Sequence, residues 1–167
     1  MHSMNAQEPG TGTNTPKSGA GDLFDAQAVF VDGPVSPTYA TRCVERFSGN
    51  HAVGAHVVFL GQVRADRIDA GTVVGIDYTA HESMARKAFT ALIERISSQY
   101  ELLDLELRHS LGHVPAGGTS LLIAVATGHR DQAYAASRAI LEAIKTEVPI
   151  YGLELTAQDR SSWKVNR

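Results

Sequence analysis

The chain has 167 residues, with 15 Lys or Arg and 18 Asp or Glu, so its formal net charge is −3 at pH 7. This length suits a single domain with a substantial core, and the charge balance lacks the basic excess that binds nucleic acid. No apolar run approaches the roughly twenty residues that cross a bilayer, so we expect no membrane-spanning segment.

The N-terminal segment, residues 1–21, is rich in Gly, Thr, Asn, Ser and Pro. This composition predicts a disordered tail, and the segment lacks the apolar stretch that is typical of a secretory signal. We therefore expect a cytoplasmic protein whose single domain spans residues 22–167.

The first part of this domain is predicted to contain strands and one short helix. The predicted elements are strands at 26–31, 52–63 and 72–79, a polar loop at 65–71, and a helix at 37–47 with Ser36 as its N-cap. The single cysteine, Cys43, shares an apolar helix face with Phe47, which favours a buried thiol. One cysteine forms neither an intramolecular disulfide nor a cysteine-rich metal site. If the protein handles sulfur, we expect the sulfur to arrive on a partner.

The second part of the domain is predicted to contain two long helices. The first spans residues 81–100, where apolar residues recur at three- and four-residue spacing, and Thr79 with Glu82 forms a capping box at its start. The later predicted elements are strands at 102–109, 119–126 and 150–156, a turn region at 111–118, and the second long helix at 131–147. Pro149 cannot continue that helix. Strands that come in pairs favour an α+β fold over a doubly wound sheet.

Four basic residues are candidates for binding or catalysis. Lys145 lies on the last turn of the second long helix, where it can face a cleft; the alternative is a solvated lysine favoured by the helix dipole. Arg64 follows a strand and offers a fork for phosphate or carboxylate, unless it is only a solvated loop residue. His129 and Arg130 precede a helix N-terminus, which favours anions; the alternative is that His129 merely covers the end of a strand.

Four motifs in one order and spacing resemble the large, catalytic subunit of molybdopterin synthase, over roughly residues 54–163. They are GQVR at 61–64, YTAHESM at 78–84, TGHR at 127–130 and IKTEVPIYGLE at 144–154. Each motif alone is a weak signal, whereas the four together are specific. The resemblance implies an α/β-hammerhead arrangement, in which two main helices pack on a mostly antiparallel sheet.

The resemblance also implies a sulfurtransferase that converts a cyclic pyranopterin monophosphate to the molybdopterin dithiolene. Sulfur would come from the thiocarboxylated C-terminus of a small ubiquitin-like, β-grasp partner that ends in Gly-Gly. Lys145 would be the catalytic residue, while Arg64, His129 and Arg130 would bind the anionic substrate, with no metal or other cofactor required. The family's assembly implies a homodimer of large subunits with a small subunit at each distal end, hence a heterotetramer. His129 and Arg130 would complete the active site of the neighbouring large subunit.

The sequence departs from the family pattern at several positions. The family's second lysine falls at Gly152, beside a tyrosine, Tyr151, in place of the usual tryptophan. The other departures are Thr79 in place of a glutamate and Ser110 in place of an arginine. Residues of the C-terminal segment that are candidates to replace the lost charge are Lys164, Arg160 and Arg167. Two alternatives therefore stay open: a catalytically weakened homologue that keeps an anion pocket and serves in binding or assembly, and an unrelated α+β enzyme that binds phosphate esters.

Overall fold

A computed structural model describes residues 23–158 and 161–164 of the chain. The expected disordered tail at 1–21 and two of the candidate replacement cations, Arg160 and Arg167, lie outside the described residues. Among the residues that are described, no helix is long and apolar enough to cross a membrane.

The described chain forms helices and strands in the order expected of an α+β protein. The helices are α1 (Thr38–Ser48), α2 (Glu82–Tyr100) and α3 (Arg130–Glu147), after a short 3-10 turn at Ala26–Ala28. The strands are β1 (Phe30–Asp32), β2 (Ala55–Gln62), β3 (Arg67–Ile68), β4 (Gly71–Ala80), β5 (Asp104–Pro115), β6 (Thr119–Thr127), β7 (Ile150–Thr156) and β8 (Ser161–Trp163).

The strands form one open sheet that is mostly antiparallel. Its main path runs β2-β6-β5-β4-β7-β8; β3 pairs with β4, and β1 pairs with β5 in the parallel sense. The prediction of an α+β fold with helices on a mostly antiparallel sheet is confirmed. Strand β7 starts at the C-terminal end of α3 and is held between β4 and β8. The α3–β7 corner therefore lies beside both of these strands.

Helices cover both faces of strand β6. Ile123 and Val125 belong to the main core under α2 and α3, which also contains Phe89 and Ile140. Leu122, Ala124 and Ala126 of the same strand belong to a second core under α1. Side chains of a strand alternate between its two faces, so the two cores lie on opposite sides of the sheet. The long helices are thus fixed on one face of the sheet by buried apolar side chains.

Cys43 is buried in the core under α1, as the sequence indicates. Removal from water, followed by the nearby Glu106 carboxylate, raises the pKa of the Cys43 thiol to about 11. The thiol is therefore protonated at neutral pH, and a protonated buried thiol is a poor nucleophile.

Some element boundaries and one capping interaction differ from the sequence-based expectation. The predicted turn region at 111–118 is largely strand, since β5 continues to Pro115 and pairs with β4. The predicted polar loop at 65–71 contains the short strand β3. The capping box was wrong: His81 is the N-cap residue of α2 without a side-chain cap bond. Glu82 instead pairs with Arg86 one turn later, at 2.8 Å. The expected end of α3 at Glu147 is confirmed, because Val148 is extended before Pro149.

Candidate active site

A cavity of about 650 Å³ opens at the α3–β7 corner. Its walls come from the last turn of α3 and from β7, and further lining residues come from β2, β4, β5, β6 and the end of β8. The polar and charged residues of the lining include Lys145, Lys164, Glu147, Tyr78, His109 and Ser120. The cavity therefore combines a cationic rim with a polar floor.

Lys145 lines this cavity from the last turn of α3. The neighbouring Ile144 is buried in the main core and anchors that turn, whereas Lys145 itself is exposed. Because the chain leaves the helix immediately afterwards at Val148 and Pro149, the lysine stands at the rim rather than along a continuous helix surface. The structure thus places the predicted catalytic residue at a cavity.

Tyr78, Ser120 and His109 form the polar floor of the cavity. The Tyr78 hydroxyl donates to Ser120 Oγ over 3.3 Å, and Ser120 Oγ donates to the carbonyl oxygen of Gly61 over 3.4 Å. The rings of Tyr78 and His109 meet edge to face at 5.2 Å between centroids. Burial raises the pKa of the Tyr78 hydroxyl, which stays protonated at neutral pH.

His109 is a neutral hydrogen-bonding group in this floor. Burial lowers its pKa to about 4, against an opposing contribution from its hydrogen bond to Ser110; the positive charge of Lys164 lowers it further. Its Nδ1 lies 2.8 Å from the Ser110 carbonyl oxygen, which only accepts, so Nδ1 carries the proton. Nε2 is then a hydrogen-bond acceptor. Sequence reasoning missed His109 and Tyr78 as site residues, although Tyr78 opens the YTAHESM motif and His109 directly precedes Ser110, a position where the chain departs from the family pattern.

Lys164 reaches the same cavity from the end of β8. Its backbone N–H donates to the carbonyl oxygen of Gly152 over 2.8 Å. A Cβ at position 152 would lie 3.0 Å from Ile76 Cγ2 and 3.4 Å from Tyr78 Cε1, so a side chain there would be crowded. Of the three candidate replacement cations, Lys164 is the one that falls among the described residues, and it lies next to Gly152.

Arg64 lies outside the cavity wall, two residues beyond Gln62, which is part of that wall. Its side chain is 84% exposed and forms a two-point ion pair with Asp66, with Nη2 of Arg64 2.8 Å from Oδ2 of Asp66. This pairing raises the pKa of the Arg64 guanidinium. The arginine is accessible, but a ligand would have to compete with Asp66 for it.

His129 and Arg130 lie at the N-terminus of α3, far from Lys145 in the same chain. His129 is the N-cap residue of α3, and Arg130 begins the helix with an 83% exposed side chain. The structure therefore does not bring the four predicted site residues together within one chain. Within residues 23–158 and 161–164, no group of three or more His, Cys, Asp or Glu is placed to hold a metal ion.

Comparison with known proteins identifies relatives of this fold. The family model described as MoaE protein matches residues 32–147. The molybdopterin synthase catalytic subunit of Aspergillus niger is 34% identical over 134 residues, which are 80% of this chain and 72% of that protein. The one from Oryza sativa subsp. japonica is 35% identical over 116 residues, 70% of this chain and 59% of that protein. The chain spans 61% of the Aspergillus fumigatus relative.

Solved structures show the same fold. Molybdopterin synthase from Staphylococcus aureus superposes with a TM-score of 0.72 and 28% identity, covering 84% of this chain and 98% of that one. The complex of subunits 1 and 2 of the molybdopterin-converting factor from Helicobacter pylori gives a TM-score of 0.66 at 21% identity, with 83% and 90% covered.

Proposed function

Because the chain belongs to the MoaE protein family, we propose that it is the catalytic, sulfur-transferring subunit of a molybdopterin synthase. The observation that carries this proposal is the cavity at the α3–β7 corner, with Lys145 on its rim and a neutral polar floor. A buried thiol whose pKa is about 11 is unsuited to carrying sulfur, so the sulfur comes from a partner. The cytoplasmic location stays a prediction.

The substrate is a cyclic pyranopterin monophosphate, and the sulfur donor is the thiocarboxylated Gly-Gly terminus of a small β-grasp partner. In each transfer the thiocarboxylate sulfur forms a C–S bond to a side-chain carbon of the pterin and displaces the oxygen that this carbon carries. Water then cleaves the acyl–sulfur bond, which leaves the sulfur on the pterin and returns the partner's C-terminus as a carboxylate, and two such transfers build the dithiolene. The Lys145 ammonium stabilises the negative charge of the thiocarboxylate and of the acyl-linked intermediate, or acts as a general acid. These roles require a cation at the rim of a partly enclosed site, which is where Lys145 stands.

The substrate's anionic group binds to Arg64, His129 and Arg130, of which the last two come from a neighbouring copy of the chain. This proposal is supported by the exposure of Arg130 and by the backbone N–H groups at the start of α3. The assembly is a homodimer that becomes a heterotetramer with two small subunits. The Helicobacter pylori relative of this fold was solved as a complex of two different subunits.

A second candidate function is a weakened homologue that binds the substrate without converting it. The observation that favours it is Gly152, which supplies no charge where the family pattern has a lysine. The deciding experiment incubates the chain with the cyclic monophosphate and a thiocarboxylated small subunit and measures the dithiolene product. The same partner with an ordinary carboxylate is the control. Product formation only with the thiocarboxylate supports the enzyme, whereas substrate binding without product supports the binding subunit.

A further inference from the structure

We propose that Lys164 and Lys145 form a paired-lysine site for one oxyanion at the α3–β7 corner. The two side chains come from different elements, the end of β8 and the last turn of α3, yet both line the same cavity. The identity of the oxyanion rests on the proposed function, whereas the site itself rests on the cavity. The family model ends at residue 147, so Lys164 lies outside the matched region.

The strand register directs Lys164 toward the cavity. Leu153 pairs with Trp163 across β7 and β8, so Gly152 and Lys164 are the next neighbours, on the opposite face of the two strands. A Cβ at position 152 would point at Ile76 and Tyr78, and Tyr78 forms part of the cavity floor. The Lys164 side chain therefore starts on the same face of the sheet as Tyr78, and Lys164 is itself one of the residues that line the cavity.

The charges around the cavity favour an anion. Its charged lining residues among those described are Lys145, Lys164 and Glu147. Glu147 is engaged by Arg95 of α2, whose Nη2 lies 2.8 Å from Glu147 Oε1. His109 contributes no positive charge at neutral pH, and Lys164 acts electrostatically on it, which places the ammonium charge near the floor. The cavity lining thus carries two ammonium groups and the paired Glu147 carboxylate, while Glu154, whose charge acts on Tyr78, lies on β7 outside the lining.

A phosphate or a carboxylate suits two ammonium groups from separate elements, because each lysine donates to a different oxygen. Both reactants of the proposed reaction carry such a group. The pterin carries a phosphate, and the small subunit carries a C-terminal carboxylate or thiocarboxylate. The shared chemistry is therefore an oxyanion, and the experiment must distinguish the two sources.

The test compares the wild-type chain with Lys164→Ala, Lys164→Arg and the control Lys87→Ala, which removes an exposed lysine of α2 away from the cavity. One calorimetric arm titrates the cyclic pterin monophosphate. The other titrates the small subunit with and without its terminal Gly-Gly. We expect Lys164→Ala to weaken one of these interactions by roughly tenfold or more, the loss of a charge-assisted hydrogen bond. We expect Lys164→Arg to retain most of the affinity and Lys87→Ala to change neither interaction.

If Lys164→Ala weakens pterin binding, the oxyanion is the phosphate of the pterin. If it weakens only the binding of the small subunit that retains its Gly-Gly terminus, the oxyanion is the C-terminal carboxylate of that subunit. Equal affinities for Lys164→Ala and Lys87→Ala in both arms would overturn the paired-lysine site. NMR titration of His109 supplies an independent readout, since loss of the nearby charge raises its pKa. An unchanged His109 pKa would contradict the placement of Lys164. If the wild type makes no product while its binding of inorganic phosphate depends on Lys164, the site stands and the proposed function fails.

Discussion

His129 and Lys145 lie at the two ends of α3, His129 as its N-cap and Lys145 on its last turn. They are 16 positions apart in the sequence, which corresponds to about 24 Å along an α-helix at 1.5 Å per residue. No small pterin bridges that distance. If both residues act on one substrate, one of them belongs to a second copy of the chain. The separation therefore excludes the joint action of these two residues on one small substrate within a single chain.

Replacing Lys145 with alanine is expected to abolish sulfur transfer and leave the fold intact. The side chain is exposed at the cavity rim, and surface substitutions usually change the free energy of unfolding by less than about 1 kcal/mol. Single-turnover assays with thiocarboxylated partner measure the transfer, and thermal unfolding measures the stability. Wild-type turnover in Lys145→Ala would remove this residue from the mechanism.

The sequence predicted the α+β class and the ends of α3 because these depend on local signals. Pro149 ends the helix at Glu147, and the apolar spacing of the long helices is regular. The extension of β5 to Pro115 was missed because the Gly- and Pro-containing segment is stabilised by pairing with β4, a residue range distant in sequence. Strand pairing of this kind is set by tertiary structure and leaves little trace in local composition.

The candidate site was predictable only in part, because only some of its residues are marked by local sequence signals. Lys145 was singled out by its position on the last helical turn before Pro149, and the family resemblance gave it the catalytic role. The roles of His109 and Lys164 depend on contacts with Tyr78 and Gly152 that join distant segments of the chain. Burial, rather than residue type, distinguishes His109 from the exposed histidines, and burial here follows from the packing of the whole sheet.

Replacing Arg64 or Arg130 with alanine is expected to weaken substrate binding more than partner binding. Each change removes an exposed guanidinium that is suited to a phosphate. For Arg64 the loss is reduced by competition with Asp66, so Asp66→Asn is expected to tighten substrate binding. Calorimetry with the cyclic monophosphate measures the affinities. Unchanged affinity in both arginine variants would reject the anion-binding assignment.

Cys43 is expected to be unreactive in the folded protein and dispensable for turnover. It is buried and its thiol stays protonated at neutral pH, with a pKa of about 11. A thiol reagent at pH 7.5 should label the chain only after denaturation, which is the control for reagent activity. Cys43→Ala should keep the wild-type rate. Rapid labelling of the native protein, or loss of turnover in a folded Cys43→Ala, would contradict this expectation.

His109 is expected to make the protein less stable as pH falls from about 6.5 toward 4. Its pKa is about 4 when folded and 6.5 in the ordinary case, so the unfolded state binds its proton first. Stability from this residue is fully present above pH 6.5, and between pH 7.5 and 5 about 2 kcal/mol of it is lost. Urea unfolding measures the free energy of unfolding at pH 7.5 and at pH 5. We expect this free energy to change less between the two pH values in His109→Gln than in the wild type. Equal differences in the two proteins would show that His109 does not titrate in this way.

Mixing Lys145→Ala with Arg130→Ala is expected to restore part of the activity that each variant lacks alone. If Arg130 of one subunit completes the site that contains Lys145 of its neighbour, a mixed dimer holds one site with both residues intact and one site with neither. Random exchange makes half of the dimers mixed, so about a quarter of all sites should be active. Mass spectrometry of differently tagged subunits checks the exchange, and a mixture of Lys145→Ala with Lys145→Gln is the matched control. A strictly monomeric chain in light scattering, or no recovery after complete exchange, would rule out the shared site.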